Sequence, residues 1–245
     1  MMFRTAARLG WIAAGIAAAV FDYFFDVVLS ASKNLPVARA AWMQRAARQP
    51  LKALRCFPSL SGPVPQSGLL VSNHLGYLDI LLICSVVPAV FVSRADVRGW
   101  PLFGWLAKLG GTIFIRRERR LDVGAVNREI ETALAAGLLV VVFPEGMSSH
   151  GETVLPFRAS LLEPALHGGY EISIACLKYE LDDGDPKTEV CYWGDHTFFP
   201  HLLNLLGKRQ VRATLRFGKF NRTTGDRKEL AKQLHAAVSE LKAKN

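Results

Sequence analysis

The run of apolar and polar positions divides this chain into helical and extended stretches. The first apolar stretch is unbroken from Leu9 to Phe21, with Arg4 and Arg8 ahead of it. Asp22 and Asp26 interrupt it on one helical face before Val27, Val28 and Leu29. Pro36 to Arg55 reads as a second helix with Arg48, Lys52 and Arg55 on one face, either an interfacial platform or a solvated face. Pro58, Gly62, Pro63, Pro65 and Gly68 mark a linker or short edge strand.

Beyond that point extended and helical patterns alternate. Leu69 to Val71 and Leu138 to Phe143 read as buried strands, and Thr112 to Ile115 as another after Gly110-Gly111. Ile80 to Ile83 belongs to a buried helix, and Asp122 to Ala136 to a second one capped by Gly137. Ile172 to Leu177, Thr188 to Trp193 and Val211 to Phe220 read as strands, with a turn at Asp182 to Pro186. Phe198 to Leu206 is an apolar loop-helix, read as core in preference to a membrane contact or cavity wall, and Asp226 to Lys244 is a closing amphipathic helix. The pattern predicts an α/β fold with a mostly parallel central sheet flanked by helices. It also divides the chain into an N-terminal membrane-associated helical region, residues 1–55, and a catalytic domain, residues 56–245.

Three of these strands end in polar chemistry, at the edge where open α/β sheets bind ligands. The first runs into Ser72-Asn73-His74 and, five residues on, Asp79. A strand–turn–helix connection can bring that pair together, so that Asp79 accepts the Nδ1 proton of His74 and leaves Nε2 as a base. Alternatively Asp79 only caps the helix. Ser72 is a rival nucleophile, but alternation points it away from Asn73. The second strand ends in Arg116-Arg117, of which alternation directs one toward a site; Arg116 is the candidate. The third ends in Pro144-Glu145-Gly146-Met147-Ser148, where Gly146, Met147 and Ser148 can offer backbone N–H groups to an anion. His150, His167, His196 and His201 show no metal-ligand spacing, and no metal site is expected.

These residues resemble the glycerolipid acyltransferase family. Asn73-His74-(four residues)-Asp79 matches its first block, Gly111 to Arg116 its second and Phe143-Pro144-Glu145-Gly146 its third. Trp100 to Leu106 resembles the approach to the second block. Leu155-Pro156-Phe157-Arg158 follows the third, with arginine where lysine is usual. The fourth block departs: Ile172 to Leu177 lacks the family's proline. The resemblance covers roughly residues 55 to 220. It implies direct attack of a lipid hydroxyl on an acyl thioester, with His74 and Asp79 as the catalytic pair. It implies substrate contacts at Asn73, Arg116, Glu145, Gly146 and Ser148. The implied acceptor is 1-acyl-glycerol-3-phosphate, giving phosphatidic acid; glycerol-3-phosphate, a lyso-aminolipid such as lyso-ornithine lipid, or a non-catalytic membrane-binding homologue are the alternatives. The donor would be acyl-CoA or acyl-carrier protein, with no further cofactor.

Composition sharpens this reading. Half of the 245 residues are hydrophobic, and the net charge is +9. A basic balance suits membrane phospholipid, a phosphorylated substrate or nucleic acid, but no nucleic-acid module accompanies it. Four cysteines without a C-x-x-C pair speak for a reducing compartment. The N-terminal stretch admits a spanning helix, a cleaved signal, an anchor whose acids face water or protein, or a helix packed one-sidedly against the domain; the anchor is preferred, because the resemblance implies a cytoplasmic donor and hence the cytoplasmic face of the inner membrane.

Overall fold

The computed structural model describes residues 2–29, 34–116, 120–163, 166 and 169–244. Its frame is a seven-stranded sheet. The strands are β1 (Pro58–Ser61), β2 (Gly68–Ser72), β3 (Ala89–Arg94), β4 (Ile113–Ile115), β5 (Leu139–Val142), β6 (Ile172–Glu180) and β7 (Arg212–Phe220). Their order is β1-β7-β6-β2-β5-β3-β4. The pairs β2–β5, β2–β6, β3–β5, β3–β4 and β1–β7 are parallel, and β6–β7 is antiparallel. Strands buried on both faces explain the unbroken apolar runs: every residue of β2 and of β5 is buried. Missing proline in β6 fits its place between two partners, where each N–H is wanted by the ladder.

Eight helices of the described residues flank the sheet: α1 (Met2–Tyr23), α2 (Leu35–Leu54), α3 (Tyr77–Val86), α4 (Phe103–Leu109), α5 (Arg120–Ala135), α6 (Pro186–Glu189), α7 (Phe198–Gly207) and α8 (Arg227–Ala243). One core gathers α2, α3 and α7 on one face of the sheet, with Leu51, Leu82 and Leu205 fully or nearly buried. The other face is covered by α5 and α8, through Ile130, Leu230 and Leu234.

Two readings from the pattern are corrected. Thr188 to Trp193 is not a strand: Asp185 caps the one-turn helix α6, accepting from the Lys187 N–H with Pro186 in its first turn, and residues 191–197 form a loop. That cap-plus-proline signal outweighs a short alternation. The strand β3 was not recognised, because Val86 to Val92 is apolar on both sides of Pro88 and runs on from α3 without a polar break.

The N-terminal segment folds as a helical hairpin. Residues Phe3–Leu29 are long and apolar enough to cross a membrane by length and composition, and only 6% of the defining window is buried against the protein. A π-helical turn, Phe24–Leu29, ends α1. Its inner side packs on α2: the fully buried Trp42 donates Nε1–H to the Ala19 carbonyl at 2.6 Å and meets Tyr23 edge-on. Asp26 pairs with Arg45 of α2. The hairpin also joins the main core, since Ala47, Leu51 and Leu54 of α2 lie in the same cluster as α3. Its outward side exposes Trp11, Phe21, Phe25 and Leu29.

Removing the Trp42 ring should therefore detach α1. Trp42→Ala is expected to cost about 3–5 kcal/mol, seen as a drop of roughly 10 °C in thermal midpoint and as proteolysis ahead of residue 35. An unchanged midpoint would show that the hairpin is held by other contacts.

Candidate active site

The loop between β2 and α3 is built around one buried carboxylate. Asp79 Oδ2 accepts the N–H groups of Leu75 (2.6 Å) and Gly76 (3.0 Å), and lies 2.8 Å from His74 Nδ1. Oδ1 accepts from the Tyr179 hydroxyl at 2.5 Å. Asp79 thus caps the helix and holds the histidine at once, so the two alternatives read from the sequence coexist. Four donors meet the high cost of taking a carboxylate out of water. Gly76 is required at the bend: its φ is +152°, and a Cβ there would come within 2.9 Å of the Tyr192 N–H nitrogen.

His74 is steered from a second side. Its ring stacks on Phe143 at 4.2 Å and 17°, at the end of β5. Among the described residues no group bonds Nε2, and His74 lines a cavity of about 770 Å³. An imidazole fixed at Nδ1 and open at Nε2 is equipped to take a proton from an incoming group. The cavity wall passes from His74 and Phe143 to Ile12 and Ile16 of α1 and Trp42 and Ala46 of α2. His74 and a few other polar side chains therefore border a largely apolar space.

The expected contacts divide. Gly146 and Ser148 line the cavity with Met147. The Gly146 N–H, however, closes its own turn on the Phe143 carbonyl, and the Ser148 hydroxyl donates to the Tyr192 carbonyl. Asn73 is not in the wall. Its amide bridges to β6, donating to the Leu177 carbonyl and accepting from the Leu177 N–H, which extends the β2–β6 ladder by a side chain. Ser72 is fully buried and also absent from the wall. Arg116 lies exposed at the end of the edge strand β4, outside the cavity wall. Arg117 and His167 lie outside the described residues.

Glu145 faces inward and is nearly fully buried. Oε1 accepts from the His74 N–H at 3.0 Å, and Oε2 is buried without a partner. Burial pushes its carboxyl up to about 7, against the opposing pull of the backbone bond from His74. It ties the β5 turn to the histidine loop, and the Ser149 N–H donating to the His74 carbonyl makes the second tie.

Three contributors escaped the sequence reading. Arg94, at the end of the unrecognised β3, lines the cavity with its ion-pair partner Asp96 at 3.1 Å. Strand register sets Arg94 opposite Ile115, so Arg94 and Arg116 end neighbouring strands. Tyr179 was hidden as one apolar-face position of β6, and Tyr192 lay in the stretch read as a strand. An inward polar tip on an otherwise apolar strand face was the available signal for Tyr179. Phe198 and Leu202 of α7 face the cavity, while Leu205 and Leu206 are core. Among the described residues no three His, Cys, Asp or Glu gather as a metal site.

The chain is similar to several known proteins. An acyltransferase family model matches residues 60–180. A lyso-ornithine lipid O-acyltransferase of Pseudomonas aeruginosa is 33% identical over 97% of this chain and 92% of its own length. A 1-acyl-sn-glycerol-3-phosphate acyltransferase of Neisseria meningitidis is 32% identical over 64% of this chain and 63% of its own. The crystal structure of the 1-acyl-sn-glycerophosphate acyltransferase PlsC of Thermotoga maritima superposes with a TM-score of 0.64 over 100% of this chain and 97% of that one. At 19% identity that likeness speaks for the fold.

Glu145 makes stability depend on pH. Its folded value of about 7 lies above the ordinary 4.5, so the native state binds the extra proton between those values. The stabilisation is full below pH 4.5 and is lost as pH rises through 7. Glu145→Gln keeps an acceptor for the His74 N–H and removes the titration. Relative to the parent it should gain about 2–3 kcal/mol between pH 5 and pH 8.5, measured by thermal unfolding at both. A constant difference would show that Glu145 stays ionised.

Proposed function

The chain belongs to the acyltransferase family, and from that premise we propose that it transfers a fatty acyl group from a thioester to the hydroxyl of a membrane lysolipid. The observation that carries the chemistry is the pair His74–Asp79 at 2.8 Å, at the polar end of an apolar cavity. In this reading Nε2 of His74 takes the hydroxyl proton as the oxygen attacks the thioester carbonyl. Asp79 holds the tautomer and stabilises the imidazolium, and the C–S bond then breaks with the proton passing to the departing thiolate. The acyl chain lies along the α1–α2 wall, and the amides of Met147 and Ser148 serve the tetrahedral oxygen. The donor is acyl-CoA or acyl-carrier protein, which puts the enzyme on the cytoplasmic face of its membrane, attached by the hairpin.

For the acceptor we favour a lyso-ornithine lipid. The Pseudomonas aeruginosa relative bearing that name matches nearly end to end. The wall's guanidinium, Arg94, is also answered by Asp96. A wall with balanced charges suits a head group carrying both a carboxylate and an ammonium better than a phosphate dianion. The second reading, 1-acyl-glycerol-3-phosphate giving phosphatidic acid, is favoured by Arg94 in the cavity wall, a guanidinium suited to phosphate, with Arg116 following the neighbouring strand.

His74→Ala should lower turnover by about 10²–10⁴-fold or more, and Asp79→Asn by a similar factor, with circular dichroism unchanged. Full activity of His74→Ala would reject the base. With purified enzyme in detergent, kcat/KM should be about tenfold or more higher for lyso-ornithine lipid than for 1-acyl-glycerol-3-phosphate. The reverse order, with KM raised by Arg116→Ala, would establish the second reading.

A further inference from the structure

A second cavity, of about 330 Å³, opens between the first turns of α1 and the end of α2. Four cations surround it: Arg4, Arg8, Lys52 and Arg55. Arg8 is fixed in place, donating to the carbonyls of Leu206, Lys208 and Arg209 where α7 ends. That latch ties the start of α1 to the catalytic domain and buries a guanidinium. Among the described residues no carboxylate pairs with Arg4, Lys52 or Arg55. The hairpin's other arginines are engaged: Arg45 pairs with Asp26, Arg39 donates to the Tyr23 hydroxyl and Arg48 to the Ser85 carbonyl. Four like charges around one small space repel one another, and an anion placed among them relieves that repulsion.

The rest of the wall says which anion. Phe3 and Trp11 complete it, 89% and 57% exposed. Exposed aromatic rings beside unpaired cations suit the boundary between lipid head groups and acyl chains. Farther along the same helix the outward residues Phe21, Phe25, Val28 and Leu29 are apolar and exposed. The hairpin is therefore cationic where it meets the domain, while toward its tip it exposes Phe21, Phe24, Phe25, Val28 and Leu29 beside Asp22 and the Asp26–Arg45 pair.

We propose that this pocket binds the phosphate of an anionic phospholipid head group, at the rim of the bilayer that takes up the apolar tip. The bound lipid fixes how deep the hairpin sits and thereby sets the mouth of the large cavity at the membrane surface. The inference builds on the membrane attachment proposed above, adding a defined head-group site to it.

The test uses the full chain and sedimentation with phosphatidylcholine vesicles, with and without about one third phosphatidylglycerol, at physiological ionic strength. The variant is Arg4→Gln/Lys52→Gln/Arg55→Asn. Asparagine is chosen because Arg55 has a φ of +52°, and Arg8 is left in place for its structural bonds. At roughly fivefold per cation near an anionic surface, the triple variant should lose about a hundredfold of the phosphatidylglycerol-dependent binding. Its binding to phosphatidylcholine and its acyl transfer in detergent should not change. Lys52→Gln, a substitution of an exposed side chain, should alone show about fivefold.

Lys228→Gln/Lys232→Gln/Lys244→Gln removes the same charge from α8 and its end, on the opposite face of the sheet, and should lose far less. Equal losses in the two triple variants, or none in the first, would overturn the site. So would a raised KM for the thioester donor with vesicle binding intact, which would give the pocket to the donor's phosphates. Parent protein that sediments equally with both vesicles refutes the pocket but keeps the membrane attachment; parent that sediments with neither refutes the attachment itself.

Discussion

A carboxylate buried away from water is stable only when its lone pairs are met, and Asp79 is met by donors from three sources: the histidine ring, two backbone amides of the loop and a tyrosine from β6. Each of those bonds also fixes its donor. The loop after β2 takes one path because its amides must reach the carboxylate, and α3 begins where that path ends. The His74 ring has one orientation because Asp79 holds Nδ1 and Phe143 lies flat against its face. Helix start, loop shape and the direction of the open His74 Nε2 are thus consequences of one burial.

The sheet order determines what surrounds that nitrogen. Since β2 and β5 are parallel neighbours, their following loops leave from the same edge, and the Glu145 turn is laced to the histidine loop by two bonds. The loop that carries Tyr192 folds over both: its N–H reaches the Leu75 carbonyl and its own carbonyl accepts from Ser148. Polar groups that a sequence reading assigns to substrate are in several cases spent on this lacing. Asn73 and Glu145 hold backbone, which leaves the cavity wall with few polar atoms beside His74 and the Arg94–Asp96 pair.

The hairpin supplies the rest of the wall. The side of α1 that faces α2 carries Ile12 and Ile16 in the cavity, while its opposite side is apolar and turned outward. Arg8 locks the start of α1 to the end of α7.

The sequence by itself determined whatever depends on neighbours a few residues apart. The apolar runs of β2 and β5, the cap of α5 at Gly137 and the reach from His74 to Asp79 follow from local spacing, because a strand, a four-residue turn and the first turn of a helix leave little freedom. The tertiary structure alone decided which distant residues complete the site. Tyr179 is a hundred positions from Asp79, Arg94 arrives on a strand disguised by the apolar run around Pro88, and Arg116 follows the edge strand β4, outside the cavity wall. Strand order and the packing of α1 against α2 set those distances. Both minimise buried apolar and polar cost over the whole chain, which no local pattern records.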